Sequence, residues 1–145
     1  MNIKHENIEI SKLESNYDKE VYVPTAFQRE ADAWSKKTKR GLIRSILDGF
    51  YIPPLLFSGN NILDGLQRIN CIWEFINNKF TFPLEIEKDK TKLVKFKDMG
   101  ELKSKILNRF LLKINLTNDD ESPLTDEQQK ELFYRINANS IKLNK

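Results

Sequence analysis

Between positions 35 and 48 the apolar residues Leu42, Ile43, Ile46 and Leu47 share one face of a 3.6-residue period, while Lys39, Arg40 and Arg44 fall off it. That pattern predicts an amphipathic helix. Gly49 is a natural stop for it, and Pro53-Pro54 forbid its resumption. Two short apolar runs, 55–58 and 61–64, flank Gly59-Asn60, a pair that tolerates positive φ, so a tight β-hairpin is expected. Its second strand runs straight into a helix over about 65–78, with Leu66, Ile69, Ile72, Trp73 and Ile76 as the buried stripe. Phe110, Leu112, Ile114 and Leu116 alternate, predicting a strand over 108–117; 79–87 reads as another, with a short helix near 99–107 between them. Thr125-Asp126-Glu127-Gln128 is a capping-box pattern that opens a last helix carrying Leu132, Phe133 and Ile136, and 137–145 reads as a loop. Ahead of all this, 1–17 is polar with only Ile3, Ile8, Ile10 and Leu13 spaced along it, and Val21-Tyr22-Val23 is a β-prone run ended by Pro24. The expectation is an α+β domain over 21–145 behind a polar lead-in segment, 1–20, with room for one short strand. The elements lack the regular alternation of a doubly wound sheet.

Composition narrows the chemistry. The chain has 145 residues, one cysteine (Cys71) and one histidine (His5). An internal disulfide, a Cys-based zinc cluster, a Ser-His-Asp triad, a two-His metal site and an HNH-type nuclease centre are thereby set aside. No apolar run approaches a membrane span and the first residues hold no signal-peptide core, so a cytoplasmic protein without a membrane partner is expected. The 24 basic and 21 acidic residues give +3 overall, unevenly spread. Positions 28–45 carry six basic residues against two acidic, and 88–113 nine against three. Lys36, Lys37, Lys39 and Arg40 are the densest cluster and the candidate contacts for a polyanion such as DNA; the alternative is an ordinary solvated helix face.

The segment richest in chemistry is Leu63-Asp64-Gly65-Leu66-Gln67-Arg68. A strand delivers the chain to a glycine at a helix start, where free N–H groups and the positive end of the helix dipole favour an anion. Gly65 lets backbone approach a ligand closely, and Arg68, one turn in, offers a planar guanidinium for phosphate oxygens. Gln67 suits holding a phosphate or orienting a water, and Asp64 suits Mg²⁺ or a water. The plainer alternative has Asp64 capping the helix and Arg68 paired with a nearby carboxylate. Gln28 and Arg29, after Phe27, form a second polar cluster; Arg135 and Asn137 form a third, and either arginine also fits a surface salt bridge.

Taken in order, Pro24, Phe27-Gln28-Arg29, Trp34, the 42–49 block, Ile52-Pro53-Pro54-Leu55, Leu63 to Arg68 and Leu132 to Asn137 resemble the N-terminal domain of GmrSD-type modification-dependent restriction systems, domain-of-unknown-function family 262. The family pattern at the turn is usually Asp-Gly-Gln-Gln-Arg, and here Leu66 replaces the first Gln. The resemblance implies a ParB/sulfiredoxin-like fold, a small mixed β-sheet with a hairpin and flanking helices. It implies a nucleoside triphosphate at the turn: Asp64, Gln67 and Arg68 catalytic, Gln28, Arg29 and Gly65 joining them in binding phosphate, Arg135 and Asn137 in a second tier, and Mg²⁺ on Asp64. Family members hydrolyse the nucleotide to control DNA restriction against phage, often with a separate HNH-type nuclease domain or subunit. They commonly continue into more helix after the Arg-Ile-Asn block, so a C-terminally truncated copy is one reading of the chain. A Mg²⁺-dependent nucleoside triphosphatase is the expectation; a non-hydrolysing nucleotide or DNA sensor and a regulatory interaction protein stand as alternatives.

Overall fold

The computed structural model describes residues 1–25, 27 and 34–143. Strands β1 (Asn2–Glu9), β2 (Val23–Pro24), β3 (Leu55–Ser58), β4 (Asn61–Asp64) and β7 (Phe110–Thr117) form one mixed sheet in the order β1-β7-β3-β4-β2. The β1/β7 and β3/β4 pairs are antiparallel; β3/β7 and β2/β4 are parallel. Helices α1 (Ile10–Asp18), α2 (Lys36–Leu47), α3 (Leu66–Ile76), α4 (Leu102–Leu107) and α5 (Asp126–Leu143) complete the α+β fold, and β5 (Phe82–Glu87) and β6 (Lys90–Val94) make a separate antiparallel hairpin.

The polar lead-in is part of this architecture. All eight residues of β1 pair with β7, and α1 packs on α3. Side chains fasten that helix pair: the Tyr17 hydroxyl donates to Asn70 Oδ1 (3.0 Å), Trp73 Nε1 to Asp18 Oδ1 (2.9 Å) and Asn77 Nδ2 to Glu14 Oε1 (3.0 Å). Trp73, expected in the buried stripe, is therefore half-buried with its indole N–H turned to a carboxylate, which satisfies a donor that full burial would strand.

The main core lies between the sheet and α1 to α4, built on Ile10, Leu13, Ile43, Ile46, Leu55, Phe57, Ile69, Ile72 and Phe75. A smaller cluster on the other face gathers Leu63, Leu116 and Leu124 under α5. Phe75 is fully buried and meets Phe80, Phe82 and Phe96 at ring-centroid distances of 5.2, 6.3 and 5.9 Å, which fixes the β5/β6 hairpin to α3. Burial of such a ring stabilises by about 1.5–3 kcal/mol. One charge enters the interior: Lys113, 5% exposed, donates to Glu6 Oε1 (2.8 Å) and lies 4.6 Å from the centre of the Phe57 ring. The ion pair and the ring face offset its desolvation.

Three local outcomes differ from the pattern along the chain. The strand expected over 79–87 begins only at Phe82, because the turn after α3 holds Asn78 at φ +61° and Phe80 turns into the core. Strand β6 went unseen among its lysines, since four of its five residues face solvent. The stretch after Asn137, read as a loop, continues α5 as far as Leu143, with no Gly or Pro in that stretch to stop it. The capping box itself forms: Gln128 N–H donates to Thr125 Oγ1 (3.2 Å) and Thr125 N–H to Gln128 Oε1 (2.8 Å).

The junction of β4 and α3 depends on one residue. Gly65 has φ +102°, and a Cβ built there would lie 2.6 Å from Leu55 Cδ2. Gly65→Ala combines left-handed strain with overpacking, an expected loss of about 2–4 kcal/mol, measurable as a lowered urea midpoint. Cys71, six residues on, is 1% exposed and donates to the Lys39 carbonyl oxygen at 3.6 Å. Burial first and the Glu74 carboxylate second push its thiol up to about 12, against an opposing pull from Lys39. At pH 8 the native protein should resist a thiol reagent such as DTNB, and the same thiol should react fully in 6 M guanidinium; rapid native labelling would show the helix opening.

Candidate functional site

Gly65 turns the chain from the end of β4 into α3 without a side chain to cap it. The first intrahelical bond closes from Ile69 N–H to Gly65 O (3.0 Å), so the N–H groups of Leu66, Gln67 and Arg68 stand at the helix head, uncapped by any side chain among the described residues. Asp64, Gly65, Gln67 and Arg68 are thus brought together by one turn. The Asp64 side chain is 45% exposed at the rim. Gln67 Oε1 is buried and has no hydrogen-bond partner, and the same is true of Thr25 Oγ1, which follows β2 beside β4. Buried polar atoms are normally paired, and these two stand out at one end of the sheet.

Arg68 is the most constrained member. Its side chain is 12% exposed and folds back over Gly65, where a Cβ would come within 3.2 Å of Nη2. Nη1 donates to the Pro53 carbonyl oxygen and Nη2 to that of Pro54 (3.3 Å), with Asp64 Oδ2 3.6 Å from Nη2. Burial lowers the guanidinium's pKa, opposed by Asp64 and then Tyr51; the group remains a cation at any physiological pH. Arg68 therefore clasps the diproline lead-in of β3 to the head of α3 and pairs loosely with Asp64.

The same guanidinium lines an open cleft of about 380 Å³. One wall is α2, through Thr38, Gly41, Leu42 and Ser45, with Trp34 just ahead of it; the other is Tyr51, Ile52 and Pro53. The second wall is held from behind. Helix α2 ends in a Schellman motif, Phe50 N–H to Ser45 O (2.9 Å) and Gly49 N–H to Ile46 O (3.2 Å), with Gly49 at φ +66°. Arg109 adds bonds from Nη1 to Ile46 O (3.3 Å) and from Nη2 to Phe50 O (2.6 Å). Tyr51 and the cleft were missed in the sequence; the signal was an aromatic pair, Phe50-Tyr51, left exposed ahead of two prolines.

The other candidates disperse. Gln28 and Arg29 lie outside the described residues. Phe27 meets Phe133 of α5 edge-on at 5.2 Å. Arg135 pairs with Glu131 (2.6 Å) and Asn137 Nδ2 donates to Phe133 O (3.0 Å), both bonds internal to α5. Lys39 is paired with Glu74 (3.0 Å), and Arg40 donates to the Thr81 carbonyl and hydroxyl oxygens, both at 2.9 Å. Of the basic cluster, Lys36 and Lys37 are the exposed pair, in the first turn of α2. Among the described residues no three His, Cys, Asp or Glu side chains gather as a metal site, and no helix is long and apolar enough to cross a membrane.

Neither a curated protein nor a solved structure matches the chain. The family of the GmrSD restriction endonuclease, N-terminal domain, matches residues 10–145, from the start of α1 through the turn, the cleft and α5. The chain belongs to this GmrSD N-terminal family, whose members are components of restriction systems that defend against phage.

Proposed function

We propose that this domain binds a nucleoside triphosphate with its phosphates at the Asp64–Arg68 turn and hydrolyses it to gate a restriction response. The observation that carries the reading is the uncapped head of α3 at a left-handed glycine, beside the buried, unpartnered Gln67 Oε1. Phosphate oxygens accept from the N–H groups of Leu66, Gln67 and Arg68, supported by the helix dipole. Gln67 Oε1 is an acceptor and wants a donor, so its natural partner is a water, which it orients towards the terminal phosphorus. Arg68 contributes its charge at close range while its N–H groups keep the Pro53-Pro54 segment in place. The donor set fits Mg²⁺ in the way that ion is commonly held, by one carboxylate, Asp64, together with substrate phosphates and water; when bound, the ion offsets charge on the phosphate oxygens. The strand–glycine–helix turn at the end of a mixed sheet also supports a ParB/sulfiredoxin-like fold.

A second reading, nucleotide sensing without turnover, is favoured by two observations. The family Gln after the glycine is here Leu66, which is 6% exposed and packs in the core, offering the ligand nothing polar beyond its backbone. Arg68 already has two carbonyl oxygens and a carboxylate around it. In either case the output passes to a nuclease domain or subunit, and contact with DNA would rest on Lys36 and Lys37.

Phosphate release and thermal melting separate these readings. Hydrolysis predicts Mg²⁺-dependent release by the wild type that Gln67→Ala lowers on the order of 10²–10³-fold, with the nucleotide-induced rise in Tm retained. At nucleotide 100-fold above Kd that rise corresponds to about 2.7 kcal/mol. No release with the Tm rise intact assigns the domain to sensing. The absence of both release and a Tm rise overturns the reading.

A further inference from the structure

The cleft beside the turn has a chemistry of its own. Its walls are mostly apolar and carry an aromatic ring on each side, Trp34 from the α2 side and Tyr51, 71% exposed, from the loop. Among the described residues it meets a cation at one end, Arg68, which is also part of the uncapped helix head. A ligand that suits both has a flat aromatic body and an anionic tail. The hydroxyls on the α2 wall are already engaged: Ser45 Oγ donates to Gly41 O (3.1 Å), and Thr38 Oγ1 lies 3.1 Å from Ser35 Oγ. About 380 Å³ falls within the range of small-ligand sites.

We infer that the Trp34–Tyr51 cleft is the nucleobase subsite for a nucleotide whose phosphates reach the Asp64–Arg68 turn, and that it grips the ring by stacking and apolar contact with little reading of the base edge. The inference rests on the proposed nucleotide site and adds to it where the base goes and how loosely it is chosen. Stacking on an aromatic side chain is tolerant of base identity, because every base has a π-face, and each such contact changes affinity by about tenfold to a hundredfold. ATP and GTP are accordingly expected to bind within about threefold of each other.

Gly41 gives a clean way to close the cleft. It sits on the α2 wall, and a Cβ placed there meets nothing within 4 Å. Gly41→Leu therefore projects into the cleft from a helix interior where Leu is favoured over Gly, and its Tm should equal or exceed that of wild type. Binding of ATP, GTP, adenosine and inorganic tripolyphosphate is measured by calorimetry on wild type, Gly41→Leu and Tyr51→Ala, each checked by circular dichroism. The expected result is a tenfold or greater loss of ATP and GTP affinity in both variants, with tripolyphosphate affinity within twofold of wild type. Trp34 emission should be quenched by ATP in wild type, and the quench should be missing in Trp34→Phe.

Equal wild-type affinity for ATP and tripolyphosphate, or ATP affinity unchanged by Gly41→Leu, overturns the subsite and leaves the phosphate site standing. Adenosine binding that Gly41→Leu abolishes, with tripolyphosphate inert, supports the cleft and overturns the phosphate site. Displacement of ATP by a short single-stranded oligonucleotide at lower concentration than by free nucleotide overturns the assignment in favour of an extruded base. If none of the four ligands binds, both proposals fall.

Discussion

The residue between β4 and α3 takes a left-handed conformation in a place with no room for a side chain, and Gly65 meets both conditions. Much of the surrounding geometry depends on that. Leu55 Cδ2 occupies the space a Cβ would need, so β3 packs directly against the turn; Arg68 folds back across the same gap and reaches the Pro53 and Pro54 carbonyl oxygens. A larger residue at 65 would push apart the strand, the diproline segment and the helix head together. The absence of a cap on α3 follows from the same constraint, because glycine cannot offer a side-chain acceptor to its own helix.

Much of the positive charge on α2 is directed inward. Lys39 pairs with Glu74 on α3, Arg40 holds Thr81, and Arg44 lies 4.6 Å over the Phe82 ring while donating to Pro83 O (3.2 Å). Three cations on two successive turns thus tie α2 to α3 and to the chain from Thr81 into β5. Arginine is well suited to this because it satisfies carbonyls with a forked donor and a ring with its flat face. A basic run in a sequence is therefore an ambiguous signal, since neighbouring carbonyls and rings compete with any polyanion for the same groups.

What the sequence made legible follows from how each element is stabilised. Helices α2 and α3 and the β3/β4 hairpin carry buried stripes with a glycine at one boundary or turn, and their outlines agree with the pattern of apolar residues. Strand β1 was hard to see because it is an edge strand with five of eight residues exposed, so its pairing is a backbone property that leaves little apolar trace. Strand β6 hid for the same reason. The turn was readable as a potential anion site from residue types alone. That Arg68 is spoken for by Pro53 and Pro54 was not, because those bonds join positions 14 and 15 residues apart through main-chain oxygens that every residue has. The plain alternative to a functional role had Asp64 capping α3, Arg68 paired with a nearby carboxylate and Arg135 in a surface salt bridge; the ion pairs of Arg68 with Asp64 and of Arg135 with Glu131 are present, and the side-chain cap is not.

Arg109 carries one more implication. It lies just before β7, 59 residues beyond Phe50, yet its guanidinium holds the chain just ahead of Tyr51 through main-chain oxygens. That flank is braced by the residue that leads into the sheet. Trp34, across from it, makes no comparable polar bond among the described residues and is held by packing alone. The two jaws are therefore held in different ways, one by main-chain hydrogen bonds from a distant arginine and the other by apolar packing just ahead of α2.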